Sequence, residues 1–198
     1  IDRGLVGSEM CIRDRRQSNN IYNQSLVASM LEHNGVKNTK KWLEGLVNNF
    51  ARSPQGNDRA QILMVASGEA KLAIANSYYY ALMLSGKKGI EQKKAAEKVI
   101  PIFPNQLNRG AHINISGAGI IKYSKNKKNA EKFLEFLLTN DSQSEFCRNS
   151  FEYPVIDDEG VYKPEYNLSS HFKEDKSIDV SIYGKRQAEA FKLMKKAG

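Results

Sequence analysis

Apolar residues recur at helical spacing in two stretches near the start of the chain. The first stretch carries Leu26, Val27, Met30 and Leu31 on one face and is expected to end at Asn34-Gly35. The second stretch, for which Thr39 is the expected N-cap, carries Trp42, Leu43, Leu46, Val47 and Phe50. Both patterns predict amphipathic helices whose apolar positions belong to the core.

A strand-to-helix junction is predicted in the middle of the chain. Asp58 and Gln61 have the spacing of a capping arrangement and open a predicted helix that ends at Gly68. Residues 71–75 then read as a short buried strand, and a second helical pattern runs to Gly86. In open α/β sheets, ligands bind beyond the carboxyl ends of such strands. The residues between strand and helix are therefore candidates for a site.

The rest of the chain continues the mixture of helical and extended patterns. We predict an extended edge or crossover at 99–103, a strand with a glycine-rich break at 112–121 and an amphipathic helix at 127–138. Residues 157–170 read as irregular, and a terminal helix at 186–196 carries Ala190, Phe191 and Met194 on its apolar side. The fold class predicted from these elements is α/β, with no domain break visible in the composition.

The chain has 198 residues, 40% hydrophobic and 26% charged, which is typical of a globular protein. It contains no apolar run long enough to span a membrane. The net charge of +8 is compatible with nucleic-acid binding, but the lysines are dispersed and interleaved with acids. A solvated basic surface is the preferred interpretation.

Residues 1–15 are set apart from the remainder. The stretch from Gly4 to Arg15 reads GLVGSEMCIRDR and resembles the translation of a transposase sequencing adapter. It also lacks the apolar centre of a secretory signal peptide. We therefore expect 1–15 to be an artefact and leave it out of the fold prediction. Residues 16–198 are expected to be the native part.

Three consecutive tyrosines follow the predicted junction, in the stretch ANSYYYAL from Ala75 to Leu82. Half-buried packing is the ordinary explanation for such a run. Neighbouring side chains point to opposite faces of a strand and diverge by about 100° on a helix. Where the backbone turns from strand to helix, however, two consecutive phenols can converge on one point. This geometry is proposed for Tyr78 and Tyr79.

Converging phenols are suited to a hard, highly charged cation. A phenol has a pKa of about 10 and is a poor ligand while it is protonated. A trivalent cation stabilises the phenolate, and anionic oxygen ligands suit hard metals. Phenolate ligation of ferric iron is known in haem proteins. A ferric site is thus the metal site for which a tyrosine cluster is useful.

Other kinds of site have little support in the sequence. His33, His112 and His171 do not have metal-ligand spacing and are expected to be ordinary surface or core histidines. The glycine-rich stretch at 110–119 lacks the P-loop lysine and the dinucleotide-binding spacing. No serine lies in a Gly-x-Ser-x-Gly elbow. We therefore expect that the protein is not an enzyme.

Several separate blocks resemble the ferric-iron-binding periplasmic proteins of bacterial ABC importers, most closely their tyrosine-rich, cyanobacterial-type branch. The blocks begin at Ser18, Asn57, Ala75, Glu152 and Tyr183, and they read SNNIYNQSLVASML, NDRAQI, ANSYYYAL, EYPV and YGKRQAEAFKLMKKAG. The resemblance runs over essentially all of residues 17–198.

The resemblance implies a type II periplasmic-binding fold with two lobes that close on ferric iron. It implies Tyr22, Tyr78 and Tyr79 as Fe(III) ligands and gives Tyr80 no ligand role. Asn76 occupies a position that contacts an anion in some relatives, and it is a candidate either for anion contact or for supporting the ligands. A monomeric receptor is implied, which passes iron from the periplasm to an ABC permease in the inner membrane without turnover.

The resemblance also implies a longer N-terminal portion than this sequence has. We expect residues 16–198 to be the C-terminal part of the two-lobed domain, to lack most of the first lobe and to retain half a site. Two other interpretations stay open. One is a receptor of the same fold for an organic cation or anion, with the tyrosines as an aromatic cage. The other is single-stranded nucleic-acid binding on stacked tyrosines, although no basic block flanks them.

Overall fold

The structure is a computed structural model that describes residues 10–12, 20–51, 56–162 and 172–198. The described residues form two compact units, one within Ile1–Asn114 and Ser169–Gly198 and the other within Ile115–Leu168. We call them the first and the second unit. The elements in chain order are β1 (Met10–Ile12), α1 (Ile21–Asn48), α2 (Asp58–Ser67), β2 (Leu72–Ile74), α3 (Ser77–Leu84), α4 (Ile90–Ala96), α5 (Lys127–Leu137), α6 (Asn140–Ser150) and α7 (Ser181–Ala197).

The core of the first unit lies between α1 and α7. Its buried members all come from the apolar faces of these two helices, and they are Val27, Ala28, Leu31, Leu43, Ala190 and Leu193. Trp42, Tyr183, Met194 and Ala197 pack around them and are partly buried. The apolar spacing along both helices places these side chains on facing surfaces, and their burial stabilises this unit. The predicted terminal helix is confirmed, and it begins earlier than residue 186.

Helix α1 is kinked at Gly35, where the backbone is left-handed with a φ of 70°. Two predicted helices therefore form one element, with the break at the expected residue. The expected N-cap role of Thr39 is wrong. Its buried hydroxyl donates to the carbonyl oxygens of Met30 at 3.0 Å and Gly35 at 2.8 Å. Thr39 lies within the second half of the helix, and its hydroxyl joins the turns on the two sides of the kink.

Helices α2 and α3 flank β2, as the sequence predicts. The expected cap is displaced by one residue, because the side chain of Asn57 accepts from the Ala60 N–H at 3.3 Å and Asp58 is the first helical residue. Gly68 ends α2 in the left-handed conformation, with a φ of 82°. Residues 1–15 are outside the fold prediction, and within them Met10–Ile12 form β1 and pair in parallel with Leu72–Ile74.

The predicted strand at 112–121 is absent. In this region only Ala111 forms a bridge, pairing in parallel with Glu174. The close approach depends on Gly110, which has a φ of 100° and whose added Cβ would lie 2.6 Å from the backbone of Glu174. Residues 99–103, predicted to be an extended edge or crossover, form no strand. In the described part of the chain, no helix is both long and apolar enough to cross a membrane.

The second unit contains the predicted α5 and the unpredicted α6, which pack against each other. Thr139 caps α6 by accepting from the Ser142 N–H at 3.4 Å. Residues 157–162 are irregular, as expected, and 163–170 lie outside the described residues.

Candidate metal centre

The first turns of two helices bring three tyrosines together in the first unit. Tyr22 lies in the first turn of α1, and Tyr78 and Tyr79 lie in the first turn of α3. The rings of Tyr78 and Tyr79 have centroids 4.3 Å apart and are tilted by 36°. The Tyr78 side chain is hydrogen-bonded to those of both Tyr79 and Tyr22. The structure thus joins residues that are 56 positions apart in the sequence.

Both helices begin without an acidic residue in their first turn. In α1, the Asn20 side chain accepts from the Tyr22 N–H at 2.9 Å and the Asn23 N–H at 3.2 Å. Asn76 has the N-cap position of α3 but makes no capping hydrogen bond with its side chain. Helix N-termini carry a partial positive charge that favours nearby anions. The phenols therefore lie where the backbone stabilises their ionised form.

At Tyr78, burial disfavours the ionised phenolate that the helix N-terminus favours. The pKa of its phenol is raised well above the ordinary value of 10, first by desolvation and then by hydrogen bonds and charge repulsion from Tyr79 and Tyr22. Tyr78 and Tyr79 are half-buried, and Tyr22 is 37% exposed. The Tyr78 phenol therefore keeps its proton until a cation offsets the charge of its phenolate.

Tyr80 faces away from this group, and its expected packing role is confirmed. The side chain is 9% exposed, and its hydroxyl donates to the Val99 carbonyl oxygen at 2.7 Å. Burial raises the pKa of this phenol as well. Tyr80 therefore anchors α3 to the segment that follows α4.

A chain of polar side chains lies beside the tyrosines. The Asn76 amide nitrogen donates to Asp58 Oδ2 at 3.3 Å, and the Asn76 amide oxygen accepts from Asn114 Nδ2 at 2.9 Å. Asp58 is 1% exposed, so this carboxylate is held within the fold. Both polar ends of Asn76 are thus in hydrogen bonds, which favours support of the ligands over anion contact. Its role in the site stays a prediction.

Ser25 extends this series of hydrogen-bonded polar side chains to α1. The Ser25 hydroxyl is hydrogen-bonded to Asn114 Oδ1 and lies 2.8 Å from the carbonyl oxygen of Tyr22. Nε2 of His112 lies 3.3 Å from Ser25 Oγ and 3.4 Å from Asn114 Oδ1. Burial lowers the pKa of His112 to about 4, so the imidazole is neutral at pH 7. The ring also meets Tyr183 edge-on, with centroids 5.0 Å apart.

The histidines form no separate metal site in the described residues, where no group of three or more His, Cys, Asp and Glu could hold an ion. His33 lies 2.7 Å from Oδ2 of Asp175, a buried carboxylate that also accepts from the backbone N–H of Ser177 at 3.1 Å. His112 belongs to the polar chain described above, and His171 lies outside the described residues.

Sequence reasoning missed the roles of Asp58, Ser25 and Asn114. Helix capping accounts for Asp58 in the sequence, and the contacts that join Ser25 to Asn114 and Asn114 to Asn76 span 89 and 38 positions. A local sign existed, because alternation in the stretch HINIS puts His112 and Asn114 on the same side of an extended chain.

The sequence matches a known protein family and is similar to several proteins of known function. Residues 30–144 match the family described as "Bacterial extracellular solute-binding protein". Iron uptake protein A1 of Synechocystis is 45% identical over 185 residues, which are 92% of this chain and 50% of that protein. A major ferric iron-binding protein of Neisseria meningitidis is 29% identical over 129 residues, 65% of this chain and 37% of that protein.

Solved structures resemble the whole chain. Trichodesmium IdiA (FutA), solved in complex with iron and citrate ligands, matches with a TM-score of 0.90 at 43% identity, over 99% of this chain and 60% of that one. A ferric binding protein from Campylobacter jejuni matches with a TM-score of 0.87 at 35% identity, over the same shares of the two chains. This chain spans about half the length of the curated Synechocystis relative.

Proposed function

Because this chain belongs to the bacterial extracellular solute-binding protein family, we propose that it is a periplasmic receptor for Fe(III). In this proposal the phenolates of Tyr22, Tyr78 and Tyr79 bind the ion. The observation that carries it is the hydrogen-bonded meeting of these three phenols at the N-termini of two helices. The names of the relatives, iron uptake protein and ferric iron-binding protein, support the same cargo.

The chemistry of the three phenols favours a ferric ion over a softer or less charged one. Each phenol must lose a proton to become a ligand, and the proton of Tyr78 is held by burial and by its neighbours. Three phenolates bring three negative charges, which a trivalent cation balances. Hard oxygen anions also match the preference of ferric iron for such ligands. Further coordination positions are open to water, an anion or residues of a longer chain.

The wider function follows from the same proposal. Residues 16–198 would form part of a two-lobed, type II solute-binding domain, and 1–15 would be adapter-derived. The receptor would act as a monomer, carry iron through the periplasm and deliver it to an ABC permease in the inner membrane. It would bind and release its cargo without chemical turnover, and it would have no nucleic-acid partner.

Titration with ferric nitrilotriacetate tests the proposal. Iron bound by phenolates gives a visible tyrosinate-to-iron charge-transfer band, which we expect in the wild-type chain. Tyr22→Phe, Tyr78→Phe and Tyr79→Phe each remove one ligand oxygen and should weaken both the band and the affinity. Tyr123→Phe is the matched control, since that ring is 83% exposed and lies in the second unit.

Absence of the visible band at saturating ferric nitrilotriacetate, in a folded wild-type chain, would refute the phenolate site. A receptor for an organic cation or anion predicts this result, because an aromatic cage needs the rings and not the ionised oxygens. The three Tyr→Phe variants would then bind the organic solute about as well as the wild type. The two candidates therefore give opposite results with the same variants.

A further inference from the structure

We propose that Asn114 is a positioning residue for the tyrosine site, which sets the first turn of α1 against the N-terminus of α3. It contacts none of the three phenols in the hydrogen bonds that join it to its neighbours. It acts through Ser25 on the turn that carries Tyr22, and through Asn76 on the turn that carries Tyr78. This inference rests on the proposed function, because the property that it explains is the geometry of the iron ligands.

The orientations of the Asn76 and Asn114 amides are determined at Asp58. An ionised carboxylate can only accept, so Asn76 must direct its NH2 group to Asp58 and its oxygen away from it. The Asn76 oxygen then requires a donor, and Asn114 supplies its NH2 group at 2.9 Å. The orientation of both amides is therefore fixed by one buried carboxyl group that accepts from Asn76.

The other end of Asn114 is consequently an acceptor. Its Oδ1 atom faces the Ser25 hydroxyl and lies 3.4 Å from His112 Nε2. Ser25 has one hydroxyl proton, and its oxygen is also 2.8 Å from the Tyr22 carbonyl oxygen. When Ser25 donates to Asn114, hydrogen bonds run without a break from α1 through Asn114 and Asn76 to Asp58.

Burial makes the arrangement resistant to change. Ser25 is 9% exposed and Asp58 is 1% exposed, and Asn76 and Asn114 are half-buried between them. A buried polar group that loses its partner is strongly disfavoured, so the two amides keep their orientation. Groups that orient metal ligands by hydrogen bonds commonly change metal affinity by about 10- to 100-fold when they are replaced.

Asn114→Asp is the sharpest perturbation, because it preserves the size of the side chain and replaces the NH2 group by a second oxygen. That oxygen would face the oxygen of Asn76. If Asn76 rotated to meet it, its own oxygen would face the carboxylate of Asp58. One repulsive contact remains in either orientation, so we expect the affinity for ferric nitrilotriacetate to fall about 10- to 100-fold. The charge-transfer band should also shift, because the Tyr22 phenolate is displaced.

A double variant tests the direction of the hydrogen bonds. Combining Asn114→Asp with Asp58→Asn exchanges the carboxylate and the amide on the two sides of Asn76. A rotated Asn76 then donates to residue 114 and accepts from residue 58. The net charge equals that of the wild type. We expect the double variant to recover most of the affinity and the original position of the band. Asn38→Asp is the control for added charge, since Asn38 is exposed in the same unit and its NH2 group bonds only to the Asn34 carbonyl in the described contacts.

Fluorescence of Trp42, the one tryptophan in the sequence, reports whether each variant is folded. Ser25→Ala provides a milder variant if Asn114→Asp does not fold, and it should weaken ferric binding by a few-fold. Wild-type affinity and an unshifted band in folded Asn114→Asp, or in Ser25→Ala, would overturn the positioning role. So would a folded double variant that binds no better than Asn114→Asp. A wild-type chain without the band would instead refute the iron proposal, and this inference with it.

Discussion

His112 should make the first unit sensitive to acid well above the pH at which carboxylates titrate. Its imidazole is buried beside Ser25 and Tyr183, and desolvation lowers its pKa to about 4 from an ordinary 6.5. Asn114 and Asp175 act against this shift, while the positive charge of Arg109 adds to it. In the unfolded chain the imidazole regains its ordinary pKa. Between pH 6.5 and 4 the unfolded chain therefore binds a proton that the folded chain does not.

The free energy of unfolding must accordingly fall as the pH decreases through this range. Each tenfold difference in proton affinity corresponds to 1.36 kcal/mol, so a pKa near 4 in the fold predicts a loss of about 3 kcal/mol between pH 7 and pH 4. The contribution is complete above pH 6.5, and it stops decreasing below pH 4, where both states are protonated. The lowered pKa of Asp175 affects stability in a different pH range. Its contribution is lost only as the pH falls through 3.8 and below.

Urea unfolding followed by Trp42 fluorescence measures this effect in the correct unit. Trp42 packs on the core between α1 and α7, and His112 belongs to the same unit. The wild type is compared with His112→Gln at several pH values between 7 and 4.5. Gln can still donate to Asn114 but does not titrate, so the wild type should lose more stability on acidification, by about 2–3 kcal/mol. Parallel pH profiles for the two proteins would refute the reasoning, because the acid sensitivity would then come from other groups.

Two further substitutions test features that position the site. Tyr80→Phe removes the hydroxyl that donates to the Val99 carbonyl oxygen at 2.7 Å, so urea unfolding should show that the free energy of unfolding falls by about 1–2 kcal/mol. The charge-transfer band on ferric titration should be unchanged, because Tyr80 is not a ligand. Gly110→Ala places a Cβ 2.6 Å from the Glu174 backbone in a left-handed conformation, and the same assay should show a loss of about 3 kcal/mol or more; wild-type stability would contradict the close approach of these segments.

Three of the predicted helices have apolar residues that repeat at helical spacing. This holds for α1, α5 and α7, and the break of α1 at Gly35 follows from a local preference of glycine. Helix α6 was not predicted, because the residues that it buries are mostly polar. They are Ser142, Gln143, Ser144 and Cys147. An amphipathic pattern cannot reveal a helix that buries hydroxyl and amide groups.

The predicted strand at 112–121 failed for a related reason. Its alternation of apolar and polar residues is genuine, but His112 and Asn114 use their positions for side-chain hydrogen bonds rather than for a buried face. Only Ala111 has a backbone partner in a neighbouring segment. Period-two patterns therefore report an extended chain, and a sheet also requires a partner strand that the pattern does not specify.

Part of the tyrosine site could be predicted from neighbouring residues in the sequence, and part of it depends on residues that are far apart in the sequence. The sequence predicts the junction between β2 and α3, but Tyr78 and Tyr79 lie within the first turn of α3 and not in the turn before it, and their rings still meet there. The placement of Tyr22 beside them came from resemblance alone, because no local pattern links residues 56 positions apart. The polar chain through Asn114 is longer-range still, and its members are common polar residues with many possible partners. The orientation of its amide groups can be explained only once the structure shows that Asp58 is buried.

The raised pKa of Tyr78 and the location of the phenols at helix N-termini have complementary effects. The helix ends favour anions in general, and alone they would also favour a phenolate with no metal present. Burial and mutual repulsion prevent this, because each additional ionised phenol raises the cost of the next. That cost is recovered only by an ion whose charge approaches the sum of the three phenolates. A divalent ion offsets less of it than Fe(III), provided that Tyr22 is held close enough to contribute the third charge. We therefore expect selectivity for the trivalent ion to depend on the polar chain that holds α1 against α3.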